Sequence, residues 1–192
     1  MRIIGGRAKG QRLKAPKGQA LRPTSARVKE ALFNILPHEL SGWRILDLFA
    51  GTGNVSLEAF SRGAAEALLV DVSRSAARAI QENLRLLGFS PRSSVWTAPV
   101  LRSLRVLARQ KRKFDLIFLD PPYERDLIRR VMETLAETEV LVESGVIVVE
   151  HSVRENVEQT YGNLELRDQR RYGTTLLSFF VRRALDGRIE DR

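Results

Sequence analysis

Three short stretches of the chain carry residue types that can do chemistry. The apolar run Ile45–Phe49 holds an acid, Asp47, two residues before its end, and leads into Ala50-Gly51-Thr52-Gly53-Asn54. Glycines at 51 and 53 allow a tight turn and a close approach of backbone to a ligand at the start of a following helix. Asp71 closes the next apolar run, 20 residues after Gly51. A carboxylate there can accept hydrogen bonds from ribose hydroxyls. A later run, Phe114–Leu119, ends in Asp120-Pro121-Pro122-Tyr123.

The glycine pattern alone fits three situations. It fits a nicotinamide dinucleotide, with Ser56 at the third glycine position. It fits S-adenosylmethionine, which carries a ribose and no phosphate, and it fits a strand-to-helix turn with no ligand. Asp47 tips the choice, because an acid inside an apolar run is costly unless paired. The cationic amine of a methionine moiety is a suitable partner for it, whereas a pyrophosphate would be repelled. Asp120-Pro121-Pro122-Tyr123 could be a strand terminator with a packed aromatic. At the same sheet edge as a cofactor loop, it suits chemistry on the exocyclic amine of a nucleobase. Such an amine is a poor nucleophile because its lone pair is delocalised into the ring. The Asp120 carboxylate and the Pro121 carbonyl can accept its hydrogens and favour a pyramidal nitrogen. Pro122 stiffens the turn, and Tyr123 can stack on the base, worth roughly 1–3 kcal/mol. A base inside folded nucleic acid must first flip out.

The elements that must position these groups follow from length and pattern. With 192 residues, 43% hydrophobic and 29% charged, the chain suits one domain with a real core. The absence of cysteine excludes disulfides and thiolate metal sites. No apolar stretch reaches the ~18 residues that span a bilayer, and no signal-like segment opens the chain, so a cytoplasmic protein without membrane contact is expected. Arg44–Phe49, Ala67–Asp71, Ser94–Thr97, Phe114–Leu119 and Val146–Glu150 read as strands. Helices are expected near 55–62, 74–87, 100–110 and 126–137, with Ala76, Ile80, Leu84 and Leu87 as a buried stripe. Val28, Ala31, Leu32, Ile35 and Leu36 lie on one face of an earlier helix, capped by Thr24 or Ser25 and ended by Pro37. Asn163–Asp168 and Thr175–Arg182 form a closing pair about Tyr172-Gly173. The expected fold is α/β: a doubly wound, mostly parallel seven-stranded sheet with a terminal antiparallel pair and a small basic N-terminal hairpin or arm.

Charge is concentrated at one end. Residues 1–44 hold ten Lys/Arg and two acids, against 22 and 21 in the rest, so nearly all of the net +9 sits in the first quarter. This asymmetry points to a polyanion met by the N-terminal arm, with Arg2, Arg7, Lys9, Arg12, Lys14 and Arg22 as its contacts. The arginines of 102–113 read as a solvated helix face, and His38 and His151 as structural or surface groups. No cluster suits a metal. The expected division is an arm over 1–22, a catalytic domain over 23–183 and a polar tail over 184–192, in a monomer.

With these sites placed, the chain resembles a Rossmann-like S-adenosylmethionine-dependent methyltransferase. Ile3–Lys14 with Arg22–Leu36, Leu46–Gly53 and Leu119–Tyr123 resemble more narrowly the bacterial enzymes that methylate the 2-amino group of a guanine in 16S ribosomal RNA. That resemblance implies S-adenosylmethionine as cofactor and ribosomal RNA or the small ribosomal subunit as partner. It also implies that Asp47, Phe49, Gly51 and Gly53 line the methionine end of the cofactor, and that Asp71 and Val72 meet its ribose side. Asp120, Pro121, Pro122 and Tyr123 would hold the amine. Two departures matter. Pro99 stands where such enzymes often carry an Asp or Asn for the adenine, which leaves backbone groups near Val100 or a different side chain to read it, and Asp71 stands where they often have Glu. The competing readings are a DNA adenine amino-methyltransferase, a protein glutamine methyltransferase, a nicotinamide dehydrogenase and a non-catalytic RNA-binding module. The first usually adds a target-recognition region, whereas here only about 70 residues follow Tyr123.

Overall fold

The computed structural model describes residues 1–15, 26–122 and 126–183. Its elements run α1 (Ala26–Ile35), β1 (Arg44–Leu48), α2 (Asn54–Ser61), β2 (Glu66–Asp71), α3 (Arg74–Leu86), β3 (Ser93–Thr97) and α4 (Val100–Arg109). They continue with β4 (Phe114–Leu119), α5 (Leu127–Glu137), β5 (Leu141–Ser152), β6 (Thr160–Tyr161), β7 (Leu164–Tyr172) and β8 (Thr175–Arg182). All strands join one sheet in the order β3-β2-β1-β4-β5-β8-β7-β6. The first five pair in parallel and β8, β7 and β6 add antiparallel. The chain winds outward from β1 to β3, then returns to lay β4 on the other side of β1. The connections therefore part at β1, which opens a crevice at the carboxyl ends of β1 and β4.

The sheet has eight strands rather than the expected seven. The extra strand, β6, is two residues long and pairs only with Leu164 and Glu165, too short for any alternation to show in sequence. β5 also begins earlier than expected, at Leu141, because the β4–β5 register shifts between Phe114 and Leu116 and lets Leu141 pair with Phe114.

Each face of the sheet is covered. Alternate residues of β1 and β4, such as Ile45, Leu116 and Phe118, pack under α1, α2 and α3; Leu46, Leu48, Ile117 and Leu119 pack under α4 and α5. In α3 the expected stripe forms, with Ala76, Ile80 and Leu84 buried. In α1 the buried face is rotated from the expected one: Val28, Lys29, Leu32 and Phe33 face inward, while Ile35 is 40% exposed. Phe33 is the larger apolar group, and a buried anion opposite Lys29 makes room for its ammonium.

The N-terminal segment folds back as a hairpin, with Arg2 bridged to Arg12 and Ile3 exchanging backbone hydrogen bonds with Gly10 and Gln11. Ile3 and Leu13 enter the core beside α1 and α2. The expected boundary after residue 22, the capping residues Thr24 and Ser25, and the tail 184–192 lie outside the described residues. No helix among the described residues is long and apolar enough to cross a membrane.

Candidate active site

Sheet register brings the three acids of the sequence motifs to one edge. Leu48 pairs with Val70 on one side and Leu119 on the other, and Asp71, Phe49 and Asp120 each follow that last shared row directly. Strands about 4.8 Å apart put the outer two roughly 10 Å from each other at the backbone. Asp47, one pleat back, projects to the same face as Asp71 and Asp120, since Leu48, Val70 and Leu119 all belong to the opposite one.

Asp47 is 2% exposed. Its Oδ2 accepts from the Ser56 hydroxyl at 2.8 Å and from the Ser56 N–H at 3.3 Å. Gly53 starts α2 without a side chain to cap it, so the Asp47 carboxylate serves an N–H of the first turn from the neighbouring strand, where the helix dipole favours an anion. Burial nonetheless dominates. It pushes the Asp47 carboxyl from 3.8 up to about 7, against the lowering by Ser56 and with the nearby charges of Asp120 and Asp71 adding to the rise. A cation brought beside Asp47 would reverse that balance.

The loop between Asp47 and α2 takes left-handed backbone at three alternate residues, Phe49 (φ 64°), Gly51 (φ 56°) and Gly53 (φ 72°). For Phe49 this conformation is strained, and such strain collects at ligand sites. At Gly51 an added Cβ would meet nothing closer than the Phe49 carbonyl at 3.9 Å, whereas at Gly53 it would press Leu69 at 3.0 Å. Gly51 thus leaves an open cradle, and Gly53 is where the loop packs against the domain. Asp71 holds the loop in place: one carboxylate oxygen accepts from the Gly51 N–H and the other from the Ser73 N–H, each at 2.8 Å. Val72 beside it is 66% exposed. The Ala98 N–H donates to the Asp71 carbonyl, which fixes the Thr97–Val100 turn next to the same edge. Pro99 caps α4 there with extended backbone, and Val100 is buried.

Asp120 and Pro121 follow β4 directly, Pro121 buried and Pro122 exposed. Tyr123 lies outside the described residues. Of the basic residues of the arm, Arg2, Arg7, Lys9, Arg12 and Lys14 are all exposed. The Arg7 guanidinium lies 4.8 Å from the centre of the Phe89 ring, and Lys14 pairs with Glu82. Arg22 lies outside the described residues.

A buried ionic group beneath the loop was not visible in the sequence. Lys29 Nζ donates to Asn54 Oδ1 and the Arg2 carbonyl, each at 2.8 Å, and pairs with Glu58 at 3.0 Å. The Glu58 carboxylate also accepts from the Ile4 and Gly5 N–H groups and from Arg62. Lys29 and Glu58 are 1% and 0% exposed; burial lowers the ammonium pKa, with Glu58 opposing the shift. The signal, Lys29 four residues before Phe33 on a helix, reads in sequence as a solvated charge. His38 is exposed, and His151 is buried against the Ser178 hydroxyl at 2.7 Å. Arg102, Arg105 and Arg109 lie on the solvent side of α4. Among the described residues no group of three or more potential ligands could hold a metal.

The family described as Conserved hypothetical protein 95 matches residues 1–181. YlbH of Bacillus subtilis (strain 168) is 36% identical over 183 residues, covering 95% of this chain and 100% of its own. Ribosomal RNA small subunit methyltransferase D of Escherichia coli (strain K12) is 32% identical over 186 residues, covering 96% of this chain and 91% of its own. Among solved structures, yhhF from Escherichia coli superposes with a TM-score of 0.83 at 28% identity, covering 96% of this chain and 98% of that one.

Proposed function

The chain belongs to the Conserved hypothetical protein 95 family, and from that premise we propose that it transfers a methyl group from S-adenosylmethionine to the exocyclic 2-amino group of a guanine in small-subunit ribosomal RNA. The observation that carries the reading is the adjacency of Asp120-Pro121-Pro122 to the Phe49–Gly53 loop across one row of the sheet edge. Support comes from a small-subunit rRNA methyltransferase that matches nearly the whole chain.

The residues present fit the cofactor. Asp47, a carboxylate whose pKa burial pushes up to about 7, suits an ammonium group, which would favour its charged form. The Gly51 cradle admits a ligand where any other residue would set a side chain. Asp71 keeps lone pairs for ribose hydroxyls beside those already given to Gly51 and Ser73, exposed Val72 offers an apolar surface to the adenine, and backbone groups near Val100 replace the acid that Pro99 displaces. S-adenosylmethionine supplies an electrophilic methyl group when bound.

The protein's own contribution is orientation and proton handling. The Asp120 carboxylate and the Pro121 carbonyl accept the two N–H bonds of the amine and draw its nitrogen towards a pyramidal shape. Transfer would form the N–C bond as the methyl carbon–sulfur bond breaks and the sulfonium leaves as a neutral thioether, and the nitrogen would shed one proton to Asp120. Tyr123 stacks on the base, and Arg2, Arg7, Lys9, Arg12, Lys14 and Arg22 meet the phosphate backbone.

The test compares the protein with Asp120→Ala, using radiolabelled S-adenosylmethionine, unmodified small-subunit RNA and calorimetric cofactor binding. The expected loss of transfer is on the order of 10²- to 10⁴-fold, the range for a positioned acid or base, with cofactor affinity within about threefold of the parent. Retained transfer in the variant would remove the assigned role of Asp120.

A further inference from the structure

The acceptors assigned to the amine, the Asp120 carboxylate and the Pro121 carbonyl, do not by themselves distinguish one base from another, since adenine, cytosine and guanine all carry an exocyclic amine. What sets guanine apart is the group next to its amine. Its ring N1 carries a hydrogen, whereas the ring nitrogen beside the amine of adenine or cytosine is an acceptor. A guanine site therefore needs a second acceptor next to Asp120, on the same face of the sheet.

The sheet supplies one candidate. Leu119 of β4 pairs in parallel with Val149 of β5 as the last row of that ladder, and Asp120 and Glu150 each follow it directly. The pleat sends both to one face: Phe118 and Val148 belong to the core under α1 and α2, and Leu119 and Val149 to the other. Leu177, which pairs with Glu150 across β8, also belongs to the first. Glu150 follows the apolar run Val146–Val149 and is only 9% exposed. Asp120 and Glu150 each interact with the rest of the protein as well, and a carboxylate, with four lone-pair sites, can accept more than one donor.

Resting on the methyl-transfer reading, we infer that Glu150 is the specificity residue of the site, accepting the N1–H of the target guanine while Asp120 accepts from the adjacent 2-amino group. Two neighbouring acceptors match the two neighbouring donors of guanine. Adenine would turn a ring acceptor against the Glu150 carboxylate and be refused. Glu150 touches the base and takes no part in moving the methyl group.

The test replaces the methylated guanine, once its position is mapped, by 2,6-diaminopurine through splinted ligation of the RNA. This base keeps the 2-amino group but carries an acceptor at N1. Single-turnover rates are compared for the parent and the isosteric Glu150→Gln, whose amide can donate to that acceptor. The parent is expected to favour guanine by on the order of 10- to 100-fold, the worth of one hydrogen bond to a charged group. Glu150→Gln is expected to lose most of its rate on guanine and to bring the preference to near unity or reverse it, with cofactor affinity and melting temperature kept. Equal parental rates on the two bases would overturn the inference even if the variant failed to fold. An unchanged preference in a folded Glu150→Gln would overturn it as well. If the parent methylates no guanine at all, the methyl-transfer reading itself fails and takes this inference with it.

Discussion

Asp47 is the residue whose environment is most at odds with its charge, and its consequences can be measured. Its folded pKa of about 7 lies above the ordinary 3.8, so the folded state favours the protonated acid. The stability this group contributes is complete below about pH 4 and is lost as pH rises through 7, by about 4 kcal/mol at 1.36 kcal/mol per pKa unit. Asp47→Asn, neutral at every pH, is therefore expected to gain stability over the parent between pH 4.5 and pH 8. Urea titrations at the two values check this, and parallel behaviour of the two proteins would contradict it. An ammonium beside Asp47 pulls its pKa down, so cofactor binding at pH 6 is expected to release a proton, and affinity to rise with pH before levelling above about 7. Calorimetry at pH 6 in two buffers of different ionisation enthalpy measures the proton count. The acids Asp47, Asp71 and Asp120 were legible in the sequence because each breaks or ends an apolar run. The second duty of Asp71, holding the Gly51 N–H, was not, and neither was Ser56 as the partner of Asp47. A hydrogen bond nine residues along the chain depends on how a helix is set against a strand, which residue types alone do not specify.

Among the elements, the loop after β1 and the N-terminal hairpin make separable claims. Gly51 and Gly53 both need left-handed backbone, which costs roughly 1–2 kcal/mol for any other residue. Only Gly53 also meets a side chain, Leu69. Gly53→Ala is expected to lower the melting temperature more than Gly51→Ala, and Gly51→Ala to weaken cofactor binding more than it weakens the fold. Thermal melts with cofactor titrations decide between this order and its reverse. A short hairpin or extended arm was legible from strand-forming ends around Gly5, Gly6 and Gly10, and the structure is a hairpin. Its anchorage was not, because Lys29 and Glu58 each read as a surface charge on an amphipathic helix. Together they tie the hairpin backbone to α1 and α2 at full burial. Glu58→Ala leaves Lys29 buried without its counter-charge and is expected to cost about 3–5 kcal/mol in urea unfolding. A loss below about 1 kcal/mol, the size of an exposed pair, would contradict that burial. The parallel strands and their helices were legible as apolar runs and helical stripes, except that β5 starts at Leu141 rather than Val146. β6, two residues long, has no period to show.

At the scale of the whole molecule, the fold puts a cofactor loop and an amine-binding turn on one edge and leaves most of the net charge at the end that carries the hairpin. If about six phosphates are neutralised, RNA affinity is expected to fall by roughly two to three decades between 50 and 200 mM salt, at a slope near −0.7 per contact. A flat titration would leave the basic residues as a solubility device only. Charge asymmetry was legible from the sequence by counting, but the local contacts of its cations were not: Arg7 lies over Phe89 and Lys14 pairs with Glu82. The most direct measurement is methyl transfer from radiolabelled S-adenosylmethionine to unmodified small ribosomal subunits, their naked RNA and unmethylated DNA, each digested to nucleosides. Label in 2-methylguanosine from the ribosomal material is the expected result. Label in methyladenine from DNA, or none in any of the three, would contradict it.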